Sequence, residues 1–399
     1  MRRRILILNQ YYRPGVEATA NLLADLCESL ATDFDVTVVT GRLAGHPDLP
    51  SDEVREGVRV LRVHSTAYDR TQLHRRAVNY LSYLAESLAR ASSLERPDLV
   101  MCMTDPPIVG DLALFVARRY RAPLLVISED VFPEIATELG RLTNPVLVGI
   151  LRKLVGYYLK RADHVVAIGE RMKERLVQKG AAPSRVTVIP NWVDTTAIVP
   201  VPRDSEWSRE QGLTDRFTVM HSGNVGHAQN LDNLVRATTL LRDLDNLAVP
   251  IIGSGARYTE LVDLAERLEA DKVVFLPYQP RDLLSQSLGA ASVHYVGLAN
   301  GLSGFVVPSR VYGILAAGRP VIVAADPDSE TTHLVDEAEC GVTLPPDRPD
   351  LLAATIRDAH DGRLDLERMG ARAREYVVRE ADQSIALLRY RALIDRLAA

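Results

Sequence analysis

The segment from residue 304 to residue 326 carries the residues whose types and spacing are best suited to chemistry. Pro308 and Ser309 open a predicted helix, with Ser309 as a favourable N-cap and Gly318 as a favourable C-terminal stop. Arg310 falls in the first turn, where unpaired backbone N–H groups and the positive dipole end favour an anion. A guanidinium beside such donors suits a diphosphate. The pattern therefore predicts a diphosphate site, and an ordinary capped helix with a surface arginine is the local alternative.

Length and composition indicate two domains that bury their own cores. The chain has 399 residues, of which 47% are hydrophobic. Its three cysteines, Cys27, Cys102 and Cys340, show no metal-ligand spacing, so we expect buried thiols in a reducing, cytoplasmic compartment. Residues 5–8 are too short for a signal peptide, and no apolar run approaches the roughly 18 residues that a membrane span needs.

The charge balance limits the classes of partner. A formal net charge of −5 argues against a nucleic-acid partner. The predicted helix at residues 73–91 carries apolar residues behind His74, Arg75 and Arg76, which is compatible with a helix lying on an anionic membrane. A face packed into the domain core is the alternative. We expect peripheral contact at the inner face of a membrane at most.

Strand and helix patterns alternate along both halves of the chain. Short apolar runs, the first at residues 5–8 and the last at 321–325, are separated by stretches with helical spacing. This alternation predicts an α/β protein with two doubly wound domains. The Pro-rich stretch at 199–202 marks the boundary. We predict domains at residues 1–198 and 199–380, followed by a C-terminal helical segment at 381–399.

Glycine-containing turns follow predicted strands in both halves. Gly15 follows the first strand, Gly223 the strand at 217–221, and Gly253 the strand at 248–252. Glycine lets the backbone approach a ligand closely before a helix begins. Because open α/β sheets bind ligands at the carboxyl ends of their strands, we expect these turns to border a ligand site in a cleft between the domains.

Several of these segments together resemble the family 4 glycosyltransferases, in the branch that builds polysaccharides and modifies lipid-linked or small-molecule acceptors. The resemblance covers nearly the whole chain. It is carried by residues 222–231, 308–320 and 326–330, and similar motifs occur at 11–15, 130–134 and 189–194.

This resemblance implies the GT-B fold, with two facing doubly wound domains and an interdomain cleft. It also implies that the C-terminal helix within residues 381–399 crosses back to the N-terminal domain. It further implies a nucleotide-sugar donor, with a UDP-sugar favoured, held by the C-terminal domain, and an acceptor held by the N-terminal domain. Transfer of a hexose with retention, without a metal or a cofactor, is the implied reaction. The expected partners are the donor and a glycan, lipid-linked or small-molecule acceptor.

The resemblance also implies the donor-binding residues. Arg310 and the backbone near Ser309 bind the diphosphate, assisted by the turn at Gly15. The remaining candidates around the donor are Glu17, Gly223, Asn224, Gln229, Gly253, Tyr278, Gln279, Pro308 and Glu330.

Four positions depart from the family pattern. Asn224 and Gln229 replace an arginine and a lysine, while Phe305 and Gly313 replace two glutamates. The glutamate expected at Gly313 commonly holds the ribose, so we expect another group, with Glu330 as a candidate, to replace it. Helix capping is the alternative role of Glu330.

Two carboxylates are the candidates for proton transfer. An acceptor hydroxyl must lose a proton, to a carboxylate or to the leaving phosphate. Asp130 and Glu134 follow the predicted strand at 124–128, and Glu17 is a weaker third candidate. Arg310 would stabilise the leaving diphosphate. The alternative for both carboxylates is a helix cap without chemistry.

Other functions remain open at this point. Asp326 and Asp328 could hold a divalent ion in a metal-dependent transferase. A dehydrogenase is disfavoured because Tyr258 stands where the dinucleotide fingerprint needs its third glycine, and no P-loop run is present. A catalytically idle partner of another transferase, or a nucleotide-sugar epimerase, would share the same fold.

Overall fold

The computed structural model describes residues 2–15, 18–43, 48–64, 66 and 73–398. These residues form two compact units. Unit 1 comprises Met1–Pro190, Gly304–Val306 and Ala386–Ala399, and unit 2 comprises Asn191–Ser303 and Val307–Ile385. The domain limits at residues 198 and 380 stay a prediction.

The sheet of unit 1 has eight strands in the described part of the chain. Their order is β3-β4-β2-β1-β5-β6-β7-β8, and every pair is parallel except β3 with β4. The strands are β1 (Arg4–Leu8), β2 (Asp35–Gly41), β3 (Asp52–Arg55), β4 (Val58–Val63), β5 (Leu99–Cys102), β6 (Leu124–Ser128), β7 (His164–Ala167) and β8 (Val186–Val188).

The sheet of unit 2 is entirely parallel over its six described strands. Their order is β11-β10-β9-β12-β13-β14. The strands are β9 (Phe217–Ser222), β10 (Leu247–Ile252), β11 (Val273–Leu276), β12 (Val293–Gly297), β13 (Val321–Ala324) and β14 (Gly341–Leu344).

Helices connect the strands in both units. In unit 1 they are α1 (Ala18–Leu30), α2 (Leu73–Ser92), α3 (Val109–Tyr120), α4 (Glu134–Glu138), α5 (Pro145–Arg161) and α6 (Glu170–Gln178). In unit 2 they are α7 (Glu206–Glu210), α8 (Leu231–Thr238), α9 (Tyr258–Arg267), α10 (Leu284–Gly289), α11 (Arg310–Ala316), α12 (Glu330–Ala338), α13 (Pro349–His360) and α14 (Leu366–Glu380). The last helix, α15 (Gln383–Leu397), begins in unit 2 and ends in unit 1.

The central strands form where the sequence has short apolar runs. β5, β6 and β7 are buried along their whole length, because helices cover both faces of a parallel sheet. The predicted class, α/β with doubly wound domains, is confirmed. All three cysteines are also buried and free, as expected.

Strand β3 is absent from the sequence prediction. Its four residues are mostly exposed, so they show no buried face that an apolar run would indicate. The antiparallel pairing with β4 depends instead on a tight turn, in which Glu56 and Gly57 have φ values of 48° and 78°. Consecutive residues with positive φ are typical of a type I′ hairpin turn.

The carboxyl of Asp111, in the first turn of α3, is expected to make the stability of the protein depend on pH. Its Oδ2 is buried without a hydrogen-bond partner among the described residues, and burial raises the pKa of this carboxyl from 3.8 to about 6. Folding therefore favours the protonated form. The carboxylate begins to oppose folding above the unfolded-state pKa of 3.8, and its full cost is reached above the raised pKa of about 6. We expect Asp111→Asn to stabilise the protein by about 1 kcal/mol near neutral pH, after discounting for partial solvent screening.

Urea unfolding of the native chain and Asp111→Asn at a series of pH values measures this effect. The advantage of the variant should shrink as the pH falls from about 6 through the unfolded-state pKa of 3.8, below which Asp111 is mostly protonated in both states. An advantage that is independent of pH would contradict the assignment to this carboxyl.

Candidate functional site

The carboxyl ends of the central strands of unit 2 meet in a cluster of glycines. Gly223 follows β9, Gly253 follows β10, and their φ values are 138° and 137°, which L side chains rarely adopt. The two turns touch, because a Cβ on Gly253 would lie 1.9 Å from the carbonyl oxygen of Gly223. A Cβ on Gly297, the last residue of β12, would lie 2.3 Å from the carbonyl oxygen of Gln229. Only glycine fits these positions.

Arg310 lies beside this cluster. It is the first residue of α11, and its Nη1 is 3.0 Å from Nδ1 and 3.1 Å from Nε2 of His221 in β9. A Cβ on Gly223 would be 3.8 Å from the guanidinium carbon. The guanidinium is therefore held between a histidine ring and a glycine turn at the end of the sheet.

The electrostatics of Arg310 favour an anionic ligand. Burial lowers the pKa of the guanidinium to about 10, which the hydroxyls of Tyr278 and Tyr295 partly oppose, so Arg310 remains a cation at neutral pH. Burial, followed by the charge of Arg310, holds the pKa of His221 well below its usual range, so this ring is neutral and can accept a hydrogen bond. The described residues offer Arg310 no carboxylate partner. A partly buried cation without a counter-ion carries a desolvation cost that an anionic ligand would offset.

Asn224 and Gln229 shape the turn after β9. The Gln229 Oε1 accepts a hydrogen bond of 3.0 Å from the backbone N–H of Gly226. Atoms of the exposed Asn224 side chain lie 2.8 Å and 2.5 Å from the places that a Cβ on Gly226 or Gly255 would occupy. The side-chain oxygen of Gln229 is thus bonded within the protein, while the Asn224 side chain is exposed to solvent beside the glycine cluster.

Tyr278 and Gln279, both predicted to lie around the donor, have different environments. Tyr278 is exposed, and its hydroxyl interacts electrostatically with Arg310. Gln279 accepts a hydrogen bond of 2.7 Å from Nε1 of Trp207 and donates one of 2.8 Å to the carbonyl of Pro277. Its side chain therefore fixes the loop, and Tyr278 is the better placed of the two for a ligand.

The predicted capping role of Ser309 is wrong. Its side chain makes no cap hydrogen bond, because its φ of −59° and ψ of −24° are already helical, whereas a capping residue is extended. The carbonyls of the buried Pro308 and the partly buried Ser309 instead accept backbone hydrogen bonds of 3.2 Å from Val311 and Tyr312, respectively. Gly318 ends the helix as expected, with a φ of 66° and a bond of 3.0 Å to the carbonyl of Leu315.

Glu330 is the first residue of α12 and is partly buried. The cap of this helix is Ser329, whose Oγ accepts from the N–H of Thr332 at 3.2 Å. The side chain of Glu330 is thus not needed as the N-cap, and its role toward ribose stays a prediction.

Gly313 has room for a side chain. A Cβ at this position would lie 3.6 Å from Leu288 and 3.9 Å from Ile198, which are ordinary van der Waals distances. Because glycine weakens a helix interior, we expect Gly313→Ala to raise the free energy of unfolding by about 0.5–1 kcal/mol. Thermal unfolding without ligand measures this change.

A second variant, Gly313→Glu, tests whether a glutamate at this position holds ribose. In the same assay with UDP, Gly313→Glu should then show a larger ligand-induced shift than Gly313→Ala. Equal shifts in the two variants would contradict that role.

Unit 1 places the other predicted residues at the ends of β1 and β6. The Gly15 N–H donates to the carbonyl of Tyr12 at 3.0 Å, so Gly15 closes a turn. Glu17 lies outside the described residues. Asp130 is partly buried two residues after β6, where its backbone N–H donates a long hydrogen bond of 3.4 Å to Thr104 Oγ1.

Glu134 is engaged by two cations. At the start of α4, its Oε2 is 2.6 Å from Nζ of Lys179, and its Oε1 is 3.1 Å from Nε of Arg152. Both of its oxygens are therefore occupied, which weakens the case for Glu134 as a proton acceptor. Glu134 stays a prediction in that role.

A cavity of about 380 Å³ opens beside this ion-pair cluster in unit 1. Phe305, whose backbone oxygen accepts from Val131 N–H at 2.8 Å, forms part of its wall. The guanidinium of Arg175 lies 4.6 Å from the centre of the Phe305 ring. The lining residues are Val131, Glu134, Arg152, Arg175, Gln178, Lys179 and Phe305. Three cations against one carboxylate make this cavity suitable for an anionic group.

Sequence reasoning did not select His221, Arg175 or Lys179 as candidate site residues, although the structure places them at the glycine cluster and at the cavity of unit 1. His221 is a polar residue at the end of an otherwise apolar strand, which is a usable signal. Arg175 and Lys179 carry no comparable signal, because basic residues are common on exposed helices.

The described residues contain no group of three or more His, Cys, Asp or Glu side chains arranged to hold a metal ion. Asp326 Oδ2 accepts a hydrogen bond of 2.9 Å from the backbone of Gly301. None of the described helices combines the length and apolar composition needed to span a membrane.

Comparison with known proteins places the chain among glycosyltransferases. Residues 15–192 match the model of the glycosyl transferase 4-like domain, and residues 204–376 match that of the glycosyl transferases group 1. The chain is 29% identical over 317 residues to the probable glycosyltransferase WbjE of Pseudomonas aeruginosa. This match covers 77% of each of the two chains.

Two solved structures show the same fold at low sequence identity. Sucrose-phosphate synthase from Thermosynechococcus elongatus superposes with a TM-score of 0.80 at 17% identity, covering 99% of both chains. Anabaena HepE in complex with UDP-glucose superposes with a TM-score of 0.75 at 16% identity, covering 98% of this chain and 99% of HepE.

Proposed function

Because the chain belongs to the family 4 glycosyltransferases of GT-B fold, we propose that it transfers a hexose from a UDP-sugar, with retention, to a hydroxyl group of a glycan, lipid-linked or small-molecule acceptor in polysaccharide biosynthesis. The observation that carries the donor assignment is the guanidinium of Arg310, held against neutral His221 without a carboxylate partner.

Arg310 is suited to the step in which the sugar leaves its diphosphate. Negative charge grows on the leaving nucleoside diphosphate, and a preorganised cation aimed at that charge lowers the barrier most. The glycines after β9 and β10 let phosphate oxygens approach the backbone beside the guanidinium. HepE, which shares the fold, has been solved with UDP and with UDP-glucose, which favours a uridine nucleotide here.

The acceptor is assigned to unit 1. Arg152, Arg175 and Lys179 around the cavity favour an acceptor that carries a phosphate or carboxylate group. Asp130, which lies after β6, is proposed to take the hydroxyl proton, because both oxygens of Glu134 are already paired. A lipid-linked acceptor would place the protein peripherally at the inner face of a membrane.

Thermal unfolding with a panel of nucleoside diphosphates and nucleotide sugars, with and without EDTA, tests the donor. A ligand that binds only the native state raises the melting temperature by mass action. We expect UDP and one UDP-sugar to raise the melting temperature, and each ligand to give the same shift with EDTA as without it. A shift that EDTA abolishes would contradict metal-independent binding and would favour the metal-dependent alternative.

A catalytically idle GT-B partner is the second candidate. Asn224, Gln229 and Gly313 stand where the family resemblance implies an arginine, a lysine and a glutamate, and these replacements favour it. No shift with any nucleotide would support this candidate. Analysis of the products formed from the nucleotide sugar that raises the melting temperature separates a transferase from an epimerase. A transferase makes a glycoside, whereas an epimerase converts one nucleotide sugar into another.

A further inference from the structure

Helix α5 exposes an apolar stripe that its own unit does not cover. Val146, Ile150 and Leu154 are 70%, 51% and 38% exposed, and Leu147 and Tyr157 are exposed as well. At 3.6 residues per turn, these five side chains fall within an arc of about 100°. The helix packs onto its unit through a different face, formed by Val148, Val155, Tyr158 and Leu159. An ordinary surface helix carries polar residues on the face directed to solvent.

The exposed stripe is flanked by positive charge. Lys153, Lys160 and Arg161 are exposed on the same helix, and α5 contains no Asp or Glu. The guanidinium of Arg161 lies 3.9 Å from the centre of the Tyr157 ring, and Nη1 of Arg118 donates to the Tyr157 hydroxyl at 3.1 Å. An aromatic ring between cations, at the edge of an apolar stripe, is typical of the interfacial region of a bilayer.

The neighbouring helices α3 and α2 also expose apolar side chains. α3 packs against α5, where Gly110 permits close approach of Tyr158, and α3 also packs against α2. α3 exposes Phe115, and α2 exposes Val78 and Leu81. On α2 the membrane face predicted from sequence is only partly exposed, because Tyr83 is buried and donates to the carbonyl of Val39 at 3.0 Å.

The geometry points to α5, with α3 beside it, as a surface that docks onto an anionic lipid membrane. Apolar side chains would enter the boundary between headgroups and acyl chains, while the flanking cations contact acidic headgroups. Charge complementarity selects this partner over a second copy of the chain, because two copies of this face would bring together like charges. The inference deepens the proposed function, since the choice of a membrane rests on a lipid-linked acceptor.

Vesicle flotation tests this surface with the full chain. The probes are vesicles of pure phosphatidylcholine and vesicles that also contain phosphatidylglycerol. We expect the native chain to float with the anionic vesicles at low salt. The double variant Ile150→Gln/Leu154→Gln should reduce the partition coefficient at least about tenfold, and Lys153→Gln/Lys160→Gln should reduce it to a similar extent on anionic vesicles only.

Val54→Gln and Val274→Gln are matched controls. They remove apolar side chains that are 73% and 41% exposed elsewhere, on β3 and β11, and should float like the native chain. Equal flotation of all variants, or no flotation of the native chain, would overturn the proposed surface. A concentration-dependent dimer without vesicles, abolished by Ile150→Gln/Leu154→Gln, would also overturn it in favour of a second copy.

The UDP-induced thermal shift is measured on the same preparations. A native chain that shifts with UDP but does not float contradicts the surface and leaves the transferase standing. A native chain that floats through α5 but does not shift with any nucleotide leaves the surface standing and contradicts the transferase.

Discussion

Replacement of Arg310 by Met is expected to abolish the UDP-induced thermal shift without lowering the stability of the free protein. In the free protein the partly buried guanidinium lies beside a neutral histidine, and burial lowers its pKa to about 10. The cation is thus a cost to folding that an apolar side chain of similar length avoids. In the complex the same cation would meet the diphosphate. The melting temperature without ligand should therefore stay equal or rise, while the response to UDP disappears.

Steady-state kinetics with the preferred donor should show a large loss of activity in Arg310→Met. Loss of one preorganised group that stabilises transition-state charge typically costs about 10²- to 10³-fold in rate, and we expect a loss of that order in kcat/KM. Arg310→Lys keeps the charge but not the fork of donors, so it should fall between the native chain and Arg310→Met. A full UDP shift in Arg310→Met would refute the assignment of this residue to the donor.

Replacement of Gly253 by Ala should be among the most damaging single changes in unit 2. The new methyl group would lie 1.9 Å from the carbonyl oxygen of Gly223, and a backbone atom cannot rotate away. We expect a loss of about 3 kcal/mol or more in the free energy of unfolding, together with loss of UDP binding, because two turns at the site must separate.

Gly212→Ala is the matched control for Gly253→Ala. Gly212 also has a positive φ, of 64°, but a Cβ there would meet nothing within 4 Å. Only backbone strain of about 1–2 kcal/mol is expected, with the UDP shift retained. Urea unfolding and UDP titration of both variants separate strain from collision. Equal losses in the two variants would show that the contact between the turns has no special role.

The strands and helices could be predicted because their signals are local. Short apolar runs gave the limits of β4 and β6, and Gly318 gave the end of α11, since each depends on residues adjacent in the chain. Strand β3 could not be found in this way, because its exposed residues depend on a hairpin turn and on the neighbouring strand.

The details of the candidate site depend on contacts between distant residues. His221 and Arg310 are 89 residues apart, and nothing near either one in the chain predicts that they touch. Glu134 and Lys179 are 45 residues apart, and their pairing changes the expected chemistry of the carboxylate. Residue types at strand ends therefore indicated a candidate site, while the protonation state and the partners of each group could be seen only in the fold.

The assignment of residues 386–399 to unit 1 has a consequence for synthesis on the ribosome. Tyr390 and Ile394 are buried in this unit, and Arg391 forms an ion pair of 2.7 Å with Asp33. A domain made early in translation usually folds while later parts are still being made. Here unit 1, most of which is made first, cannot be completed until residues 386–399 have left the ribosome. Until then, while all of unit 2 is being made, the nascent chain must keep the apolar surface that receives α15 from aggregating.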